Sequence, residues 1–457
     1  MAKSRAVYVC QDCGAEHPRW GGQCGDCGAW NTLSEFVPAS SPRDAGRNRR
    51  GGYAADISDV KTLDQIDLAE VPRVPTGLGE LDRVLGGGVV PGSVNLVGGQ
   101  PGAGKSTLLL QVMCALSQSM ETLYVTGEES LQQVALRAHR LGLPTDKLKM
   151  LAETSVEVIC GAASSLAPRM MVVDSVQVVH CDDMPSAPGG VSQVRESAAR
   201  FTRYAKAANT ALFLVGHVTK DGTLAGPKVL EHIIDCSIML ESEGDSRFRT
   251  LRAQKNRFGA VNELGVFAMT DKGMREVKNP SAIFLSRGED IAPGSVVMVV
   301  WEGTRPLLVE IQALVDGALG SHPRRVAVGV DQNRMAMLLA VLHRHGGLQL
   351  GDQDVFANVV GGIKVSETSA DLALLLAVVS SFRNRSLTAD LIAFGEIGLS
   401  GEIRPVPSGA ERLAEAAKHG FKRAIVPLAN RPRKPIQGME VVGVKHLAEA
   451  LDAIHQV

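Results

Sequence analysis

Aromatic residues are scarce: Phe, Trp and Tyr make up 4% of the 457 residues, with only three tryptophans. No interleaving of rings with basic residues offers a stacking platform for bases. Charge of one sign is lacking as well. Lys and Arg number 48 against 49 Asp and Glu, a formal net charge of −1, so a nucleic-acid surface can only be a local patch. No apolar run reaches the 18 residues of a membrane-spanning helix, which predicts no membrane partner. Met1-Ala2-Lys3-Ser4-Arg5 runs straight into a cysteine pair instead of an apolar signal core, so the expected location is cytoplasmic. Cysteines are few outside that region. Of eight, Cys114, Cys160, Cys181 and Cys236 are scattered, mostly among apolar neighbours, and read as reduced core or near-core residues.

What is present is ample apolar content, 45%, and 48 glycines, a composition that suits α/β architecture in two to four domains. Residues 93–98 form an apolar strand that runs into a glycine-rich turn and then a helix from Lys105 to Ser117, with Leu108, Leu109, Val112 and Leu116 on its apolar face. Within this stretch Gly99, Gln100, Pro101, Gly102, Ala103, Gly104, Lys105 and Ser106, followed by Thr107, fit the G-x-x-x-x-G-K-[ST] phosphate loop. Glycines let backbone N–H groups turn inward around a phosphate, and the helix N-terminus adds partial positive charge. Lys105 is expected to reach the β- and γ-phosphates of ATP, and Ser106 to hold Mg²⁺. A glycine-rich surface turn is the plainer reading, but strand, loop and helix occur in the required order.

Cys10-x2-Cys13 and Cys24-x2-Cys27, ten residues apart, each carry a glycine after the second cysteine, Gly14 and Gly28. Four thiolates so spaced suit a closed tetrahedral Zn²⁺ site. Two disulfides or a redox pair are the alternatives, and a cytosolic setting disfavours both. Trp20 and Trp30 are expected to pack beside the knuckles, since a module of this size has little other core. His17 is a fifth candidate ligand, but four cysteines already fill the site, and it reads as an exposed loop residue. Residues 38–56, small, polar and basic, read as a flexible linker. Arg47, Arg49 and Arg50 within it read as solvated residues, with nucleic-acid contact as the lesser alternative.

From residue 57 to about 280 strand and helix patterns alternate, predicting a mainly parallel sheet covered on both faces. One strand, 122–126, ends in Gly127-Glu128-Glu129-Ser130; another, 170–174, ends in Asp174, a candidate Mg²⁺ carboxylate; a third, 211–215, ends in Gly216-His217. Polar groups thus gather at one sheet edge, where open α/β folds bind ligands.

The order GGQPGAGKST, YVTGEES, MMVVDS, LVGHVTKDG and Lys255-Asn256-Arg257-Phe258-Gly259 resembles the bacterial RadA (Sms) family of RecA-like recombination ATPases, and the resemblance covers essentially the whole chain. It implies Glu128 as the catalytic carboxylate, with Glu129 a competing choice, Asp174 as the Walker B acid, and His217 as a sensor of the γ-phosphate. By composition alone His217 reads as a satisfied histidine at a strand end. Lys255 and Arg257 flank one residue at a strand end, so alternation puts both on one face. Related hexameric helicases use such a pair in trans, in the manner of an arginine finger. A solvated basic strand end is the alternative. The resemblance further implies a homo-oligomer (a hexameric ring), single-stranded DNA and recombination intermediates as partners, and a RecA-type recombinase. Partner contact is expected at the zinc module. Expected DNA contacts are Arg195, Lys220 and Lys228, in segments 185–195 and 220–228.

After residue 280 two strand-like runs, 294–301 and 306–311, flank the turn Glu302-Gly303-Thr304-Arg305, as in a hairpin. An apolar helix over 369–381 and an amphipathic one over 411–420 follow. This second α/β domain resembles the Lon-protease domain (ribosomal protein S5 domain 2-like), whose peptidases use a Ser–Lys dyad. Ser369 falls at the nucleophile position, but Ala410 stands where the lysine belongs, and Arg412 cannot replace it because guanidinium stays protonated. The domain is expected to be peptidase-inactive, a scaffold for oligomerisation and DNA binding, with Ser369 capping its helix. The expected layout is a zinc ribbon over 1–37, a linker over 38–56, a RecA-like P-loop ATPase over 57–280 and a Lon-like domain over 281–457. The expected activity is a DNA-dependent ATPase driving branch migration in recombination. A nucleotide-gated regulatory scaffold and an ATP-dependent peptidase are the rivals.

Overall fold

The computed structural model describes residues 7–10, 13–36, 72–217, 228–242, 247–261, 263–282, 285, 292–318, 320, 322–362 and 364–455. The linker assigned to 38–56 lies outside the described residues, as does Lys220. The chain divides into two units, Met1–Val277 and Lys278–Val457.

In the first unit, β1 (Val7–Cys10), β2 (Glu16–His17) and β3 (Leu33–Phe36) form a small antiparallel sheet in the order β2-β1-β3. The main body follows with α1 (Gly79–Leu85), β4 (Val94–Gly99), α2 (Lys105–Leu116), β5 (Thr122–Thr126), α3 (Leu131–Arg140) and β6 (Lys149–Ala152). Then come α4 (Val156–Leu166), β7 (Met170–Asp174), α5 (Val191–Ala208), β8 (Ala211–His217), α6 (Lys228–Glu231), β9 (Cys236–Glu241), β10 (Phe248–Asn256), β11 (Leu264–Thr270) and β12 (Gly273–Glu276). Nine strands join in the order β12-β11-β10-β9-β4-β8-β7-β5-β6. The six from β9 to β6 are parallel, and β10, β11 and β12 extend the sheet antiparallel.

Side-chain alternation splits each parallel strand between two cores. On one face Val97, Tyr124, Val172, Phe213 and Val215 pack with Leu108, Leu109 and Val112 of α2 and Val134 of α3. On the other, Leu96, Leu123, Met171 and Leu214 pack with Ile159 of α4 and Ala198 and Phe201 of α5. The apolar stripe expected on α2 is wider than its periodicity implied. Leu110, Met113 and Cys114 are buried too, because β12 lies against the helix, with Met274 exchanging both main-chain hydrogen bonds with the Gln111 amide at 2.8 and 3.2 Å. Helix α3 starts at a capping box, in which Ser130 and Gln133 satisfy each other's N–H groups.

The second unit holds β13 (Ser295–Glu302), β14 (Arg305–Gly317), β15 (Arg325–Val328), α7 (Gln332–Gly346), β16 (Gln353–Val359) and α8 (Asp371–Phe382). It continues with β17 (Leu391–Ala393), β18 (Glu396–Ile397), β19 (Ile403–Arg404), α9 (Gly409–Lys418), β20 (Arg423–Pro427), β21 (Glu440–Val444) and α10 (Leu447–His455). The expected hairpin is β13–β14, and β14 runs on past residue 311 to pair with β16 in a mixed sheet ordered β15-β16-β14-β13-β17-β20-β21. Helix α8, buried from Asp371 to Ser380, packs on β13 and β14.

Candidate functional site

The C-terminal ends of β4, β5, β7 and β8 meet at one edge of the large sheet. A Cβ on Gly99 would collide with the Leu240 carbonyl, and one on Gly104, at φ +105°, would lie 2.5 Å from the Met274 methyl. Only glycine fits either place, so the loop after β4 is pressed between β9 and the β11–β12 hairpin. Arg249 of β10, which sequence reasoning did not single out, donates its Nε–H to the Ala103 carbonyl at 3.1 Å. Lys105 is buried, and its Nζ donates to the carbonyls of Gly99 at 2.7 Å and Gln100 at 3.0 Å. Desolvation holds its pKa below the usual lysine value, partly opposed by Asp174 and Glu128. Ser106 follows at the helix start. A glycine loop closed by a buried cation at a helix N-terminus is an arrangement suited to polyphosphate.

The two neighbouring glutamates part company here. Glu129 turns to α3, where Arg137 forms an ion pair with it. Glu128 instead accepts a hydrogen bond from the Ser175 hydroxyl and meets His217 Nε2 at 3.2 Å. Hydrogen bonding to His217 first, then to Ser175, holds the Glu128 carboxyl below the usual range. The turn is fixed by Thr126, whose hydroxyl donates to the Glu129 carbonyl at 2.7 Å. At Gly127 a Cβ would sit 2.5 Å from a Val178 methyl. Asp174, at the end of β7, is buried and accepts a 2.6 Å hydrogen bond from the Tyr124 hydroxyl. Tyr124 is a residue that sequence reasoning missed, since its partner lies 50 positions away. Ser106 and Asp174 are the oxygens at this edge that could hold Mg²⁺.

Lys255 and Arg257 are elsewhere. Asn256 pairs with Cys236 and Cys236 with Asn95, whereas the phosphate loop begins at Gly99. Four residues of strand, about 13 Å, separate the two levels, and the cations sit at the opposite end of the parallel strands from their own phosphate loop. A register shift between Ala253 and Lys255 breaks strict alternation, yet both cations converge on one stretch: Lys255 on the Glu231 and Ile234 carbonyls, Arg257 on the Asp235 carboxylate at 2.9 Å. The rest of the motif is structural. Asn256 bonds the Val84 carbonyl, and Gly259 lies so near Gly86 that a Cβ would come within 2.8 Å of its Cα.

Arg195 is exposed on α5 and not on a loop. Gln193, buried beside it, bonds Cys181, Met184 and Ser186 and so tethers the chain segment before the helix. Lys228 opens α6.

In the small N-terminal sheet the sulfurs of Cys10, Cys13, Cys24 and Cys27 lie within 4.8 Å of one another. The Cys10–Cys27 and Cys13–Cys24 separations are 3.6 Å, far beyond the ~2.05 Å of a disulfide and near the ~3.8 Å that four ~2.3 Å Zn–S bonds give. Backbone N–H groups, that of Cys27 foremost, draw the Cys24 thiol down to about 6, while desolvation first and shared sulfur hydrogen bonds push Cys13 up to about 12. Four sulfurs this close ionise together only around a cation, so the donor set fits zinc. Two expectations fail here. Trp20 and Trp30 are 60% and 70% exposed, because Cys10, Cys24 and Leu33 fill the centre. His17 is half-buried on β2, with Nε2 at 3.4 Å from both Cys24 Sγ and Asp26 Oδ2.

Three family models match: an AAA domain over residues 67–223, a rubredoxin metal binding domain over 8–35, and subunit ChlI of Mg-chelatase over 309–430. Over the full length, DNA repair protein RadA of Escherichia coli K12 is 67% identical across 454 residues, covering 99% of each chain. The protein of that name in Salmonella typhimurium matches at the same identity and coverage, and that of Haemophilus influenzae is 67% identical over 453 residues, again 99% of each. The chain belongs to the RadA family. As a RadA-family protein it combines a four-cysteine zinc ribbon, a P-loop AAA-like ATPase core of DNA repair, and a Lon-protease-like C-terminal domain.

In this RadA-family chain the Lon-like serine is not free. Ser369, buried in the turn before α8, is met at 3.3 Å by Arg412 Nη1. It does not cap α8, whose first turn has no side-chain cap. Arg412 is 1% exposed and lies on α9, which begins beside Ala410. It pairs with both Glu367 oxygens, at 3.0 and 2.7 Å, and donates to the Pro407 and Val299 carbonyls. A permanent cation with no base function thus occupies the serine's surroundings.

Proposed function

We propose that the chain is an oligomeric, DNA-dependent ATPase of homologous recombination and repair, a motor that acts on single-stranded DNA and promotes branch migration of recombination intermediates. One observation carries the reading: Lys255 and Arg257 sit about 13 Å of strand away from their own phosphate loop, so they serve a neighbour's site. Residues 99–107 wrap the phosphates of ATP, and Lys105 exchanges its two loop carbonyls for β- and γ-oxygens. Ser106 and Asp174 hold Mg²⁺, which when bound neutralises charge developing on the phosphate oxygens. Glu128, kept ionised by His217 and Ser175, orients the attacking water, and His217 registers the γ-phosphate through that same contact. The cations from the next subunit stabilise the transition state.

Assembly is read as a hexameric ring, the closed arrangement that a head-to-tail interface gives when its rotation closes. That the relatives are DNA repair proteins supports a role in DNA repair. Arg195, Lys220 and Lys228 are the cations assigned to DNA. The division into 1–37, 38–56, 57–280 and 281–457 belongs to the same reading, with the ribbon contacting a RecA-type recombinase in the cytoplasm.

The test is the steady-state ATPase rate with and without single-stranded DNA, for the parent chain and for Lys255→Ala. Strong stimulation that disappears in the variant, with ATP binding retained, supports the motor. A rate indifferent to DNA sinks it and favours a nucleotide-gated scaffold.

A further inference from the structure

Asp235, the carboxylate that meets Arg257, is buried and makes side-chain contacts to three residues. It lies immediately before β9 and is 2% exposed. Its Oδ1 accepts from Arg257 Nη1 at 2.9 Å and from Lys206 Nζ at 3.3 Å. Its Oδ2 accepts the Val94 N–H at 3.1 Å, at the start of the strand that ends in the phosphate loop. The main chain repeats the link: the Arg257 N–H donates to the Asp235 carbonyl at 3.1 Å, and the Asp235 N–H to the Val94 carbonyl at 2.9 Å.

We infer that Asp235 is the positioning residue of the arginine finger. The inference rests on the reading that Arg257 acts in a neighbour's site. Guanidinium has two donor edges in a rigid plane. One is fixed by Asp235, while the side chain remains 49% exposed, so the other edge is presented outward in a defined orientation. Lys255 differs in kind. Its ammonium is spent on the Glu231 and Ile234 carbonyls, and desolvation first, then Arg257, lowers its pKa. Lys255 is held by the main chain of 231–234, and Arg257 is the member of the pair whose orientation a buried carboxylate sets. Asp235 sets where it reaches from, because four of its atoms (Oδ1, Oδ2, O and N) are pinned to β4 and Arg257. Lys206 offsets the remaining negative charge.

The experiment is subunit complementation in the full chain. Asp235→Asn keeps the shape and an acceptor for Val94 but loses the charge that holds Arg257. Alone, it is expected to lower the DNA-stimulated kcat by at least about tenfold, toward the ~10²-fold that a 1 Å misplacement can cost, with KM for ATP unchanged. Mixed with Lys105→Ala subunits, which have a failed phosphate loop and an intact finger, it is expected to recover activity, as Arg257→Ala does in the same mixture. Recovery with Arg257→Ala but not with Asp235→Asn places Asp235's effect in its own subunit through β4. That outcome overturns the inference and leaves the trans reading standing. No recovery with Arg257→Ala overturns the trans reading and this inference with it. Parent-like activity of Asp235→Asn alone also overturns it. Should Asp235→Asn fail to fold, Arg257→Lys supplies the check: it keeps the charge but has no second edge, and is expected to fall with Arg257→Ala and to recover in the mixture. A lysine that supports the parent rate refutes the positioning role.

Discussion

Replacing Arg412 by alanine tests what the Lon-like domain does with its buried charge. The guanidinium is 1% exposed and its partner Glu367 27% exposed. Removing one member of a buried pair costs about 3–5 kcal/mol, mostly through the uncompensated charge left behind. Glu367 keeps some access to water and still accepts the Trp301 N–H at 2.9 Å, so the lower end, about 3 kcal/mol, is expected. The lost stem over the Phe394 ring, 5.9 Å from the guanidinium carbon, acts in the same direction. For a unit of this size that is a fall of about 6–12 °C in Tm. Scanning calorimetry of the full chain would follow the transition of the C-terminal unit. Arg412→Met with Glu367→Gln should regain much of the loss, because no lone charge remains. Ser369→Ala should cost under about 1 kcal/mol, since its bond to Arg412 is long. A shift below about 1 kcal/mol for Arg412→Ala, or one matched by Ser369→Ala, would refute the view that this cation and not the serine organises the region.

His217→Ala removes the main donor to Glu128. Because that contact lowers the carboxyl's pKa, its loss raises it, and the acidic limb of the ATPase pH profile should move to higher pH; an unmoved limb would separate the two residues functionally. Tyr124→Phe takes a buried 2.6 Å hydrogen bond from Asp174, and Mg²⁺ titration of the ATPase should reveal a half-saturation raised on the order of 10-fold. An unchanged titration curve would remove Tyr124 from the metal's support. Chelation of zinc, or Cys13→Ser, which leaves three of the four ligands, should expose residues 7–36 to rapid proteolysis, since the fold of the ribbon depends on the bound cation; persistent protection would contradict a metal-held fold.

Local signals were the legible ones. The phosphate loop, the paired cysteines and the strand-end carboxylates each lie within a few consecutive residues whose spacing is dictated by their chemistry. Glu128 and Glu129 were inseparable in sequence because the choice depends on two distant elements, Arg137 on α3 and Ser175 after β7. Asp235 and Tyr124 were illegible for the same reason: their partners lie on other strands, set by the order of the sheet. The tryptophans misled by the usual rule that large apolar rings seek the interior. In a module centred on cysteine sulfur there is no interior large enough to take them.

That exposure makes the chain a selective optical reporter. Its three tryptophans are Trp20 and Trp30 on the ribbon and Trp301 at the tip of the β13–β14 hairpin. The ATPase core between them contains none. Indole emission is therefore blind to rearrangement around the nucleotide and reads instead the polarity around the ribbon, where two solvent-facing rings would shift to the blue on being covered. Fluorescence of the unlabelled chain can thus follow docking at the ribbon while catalysis proceeds unseen.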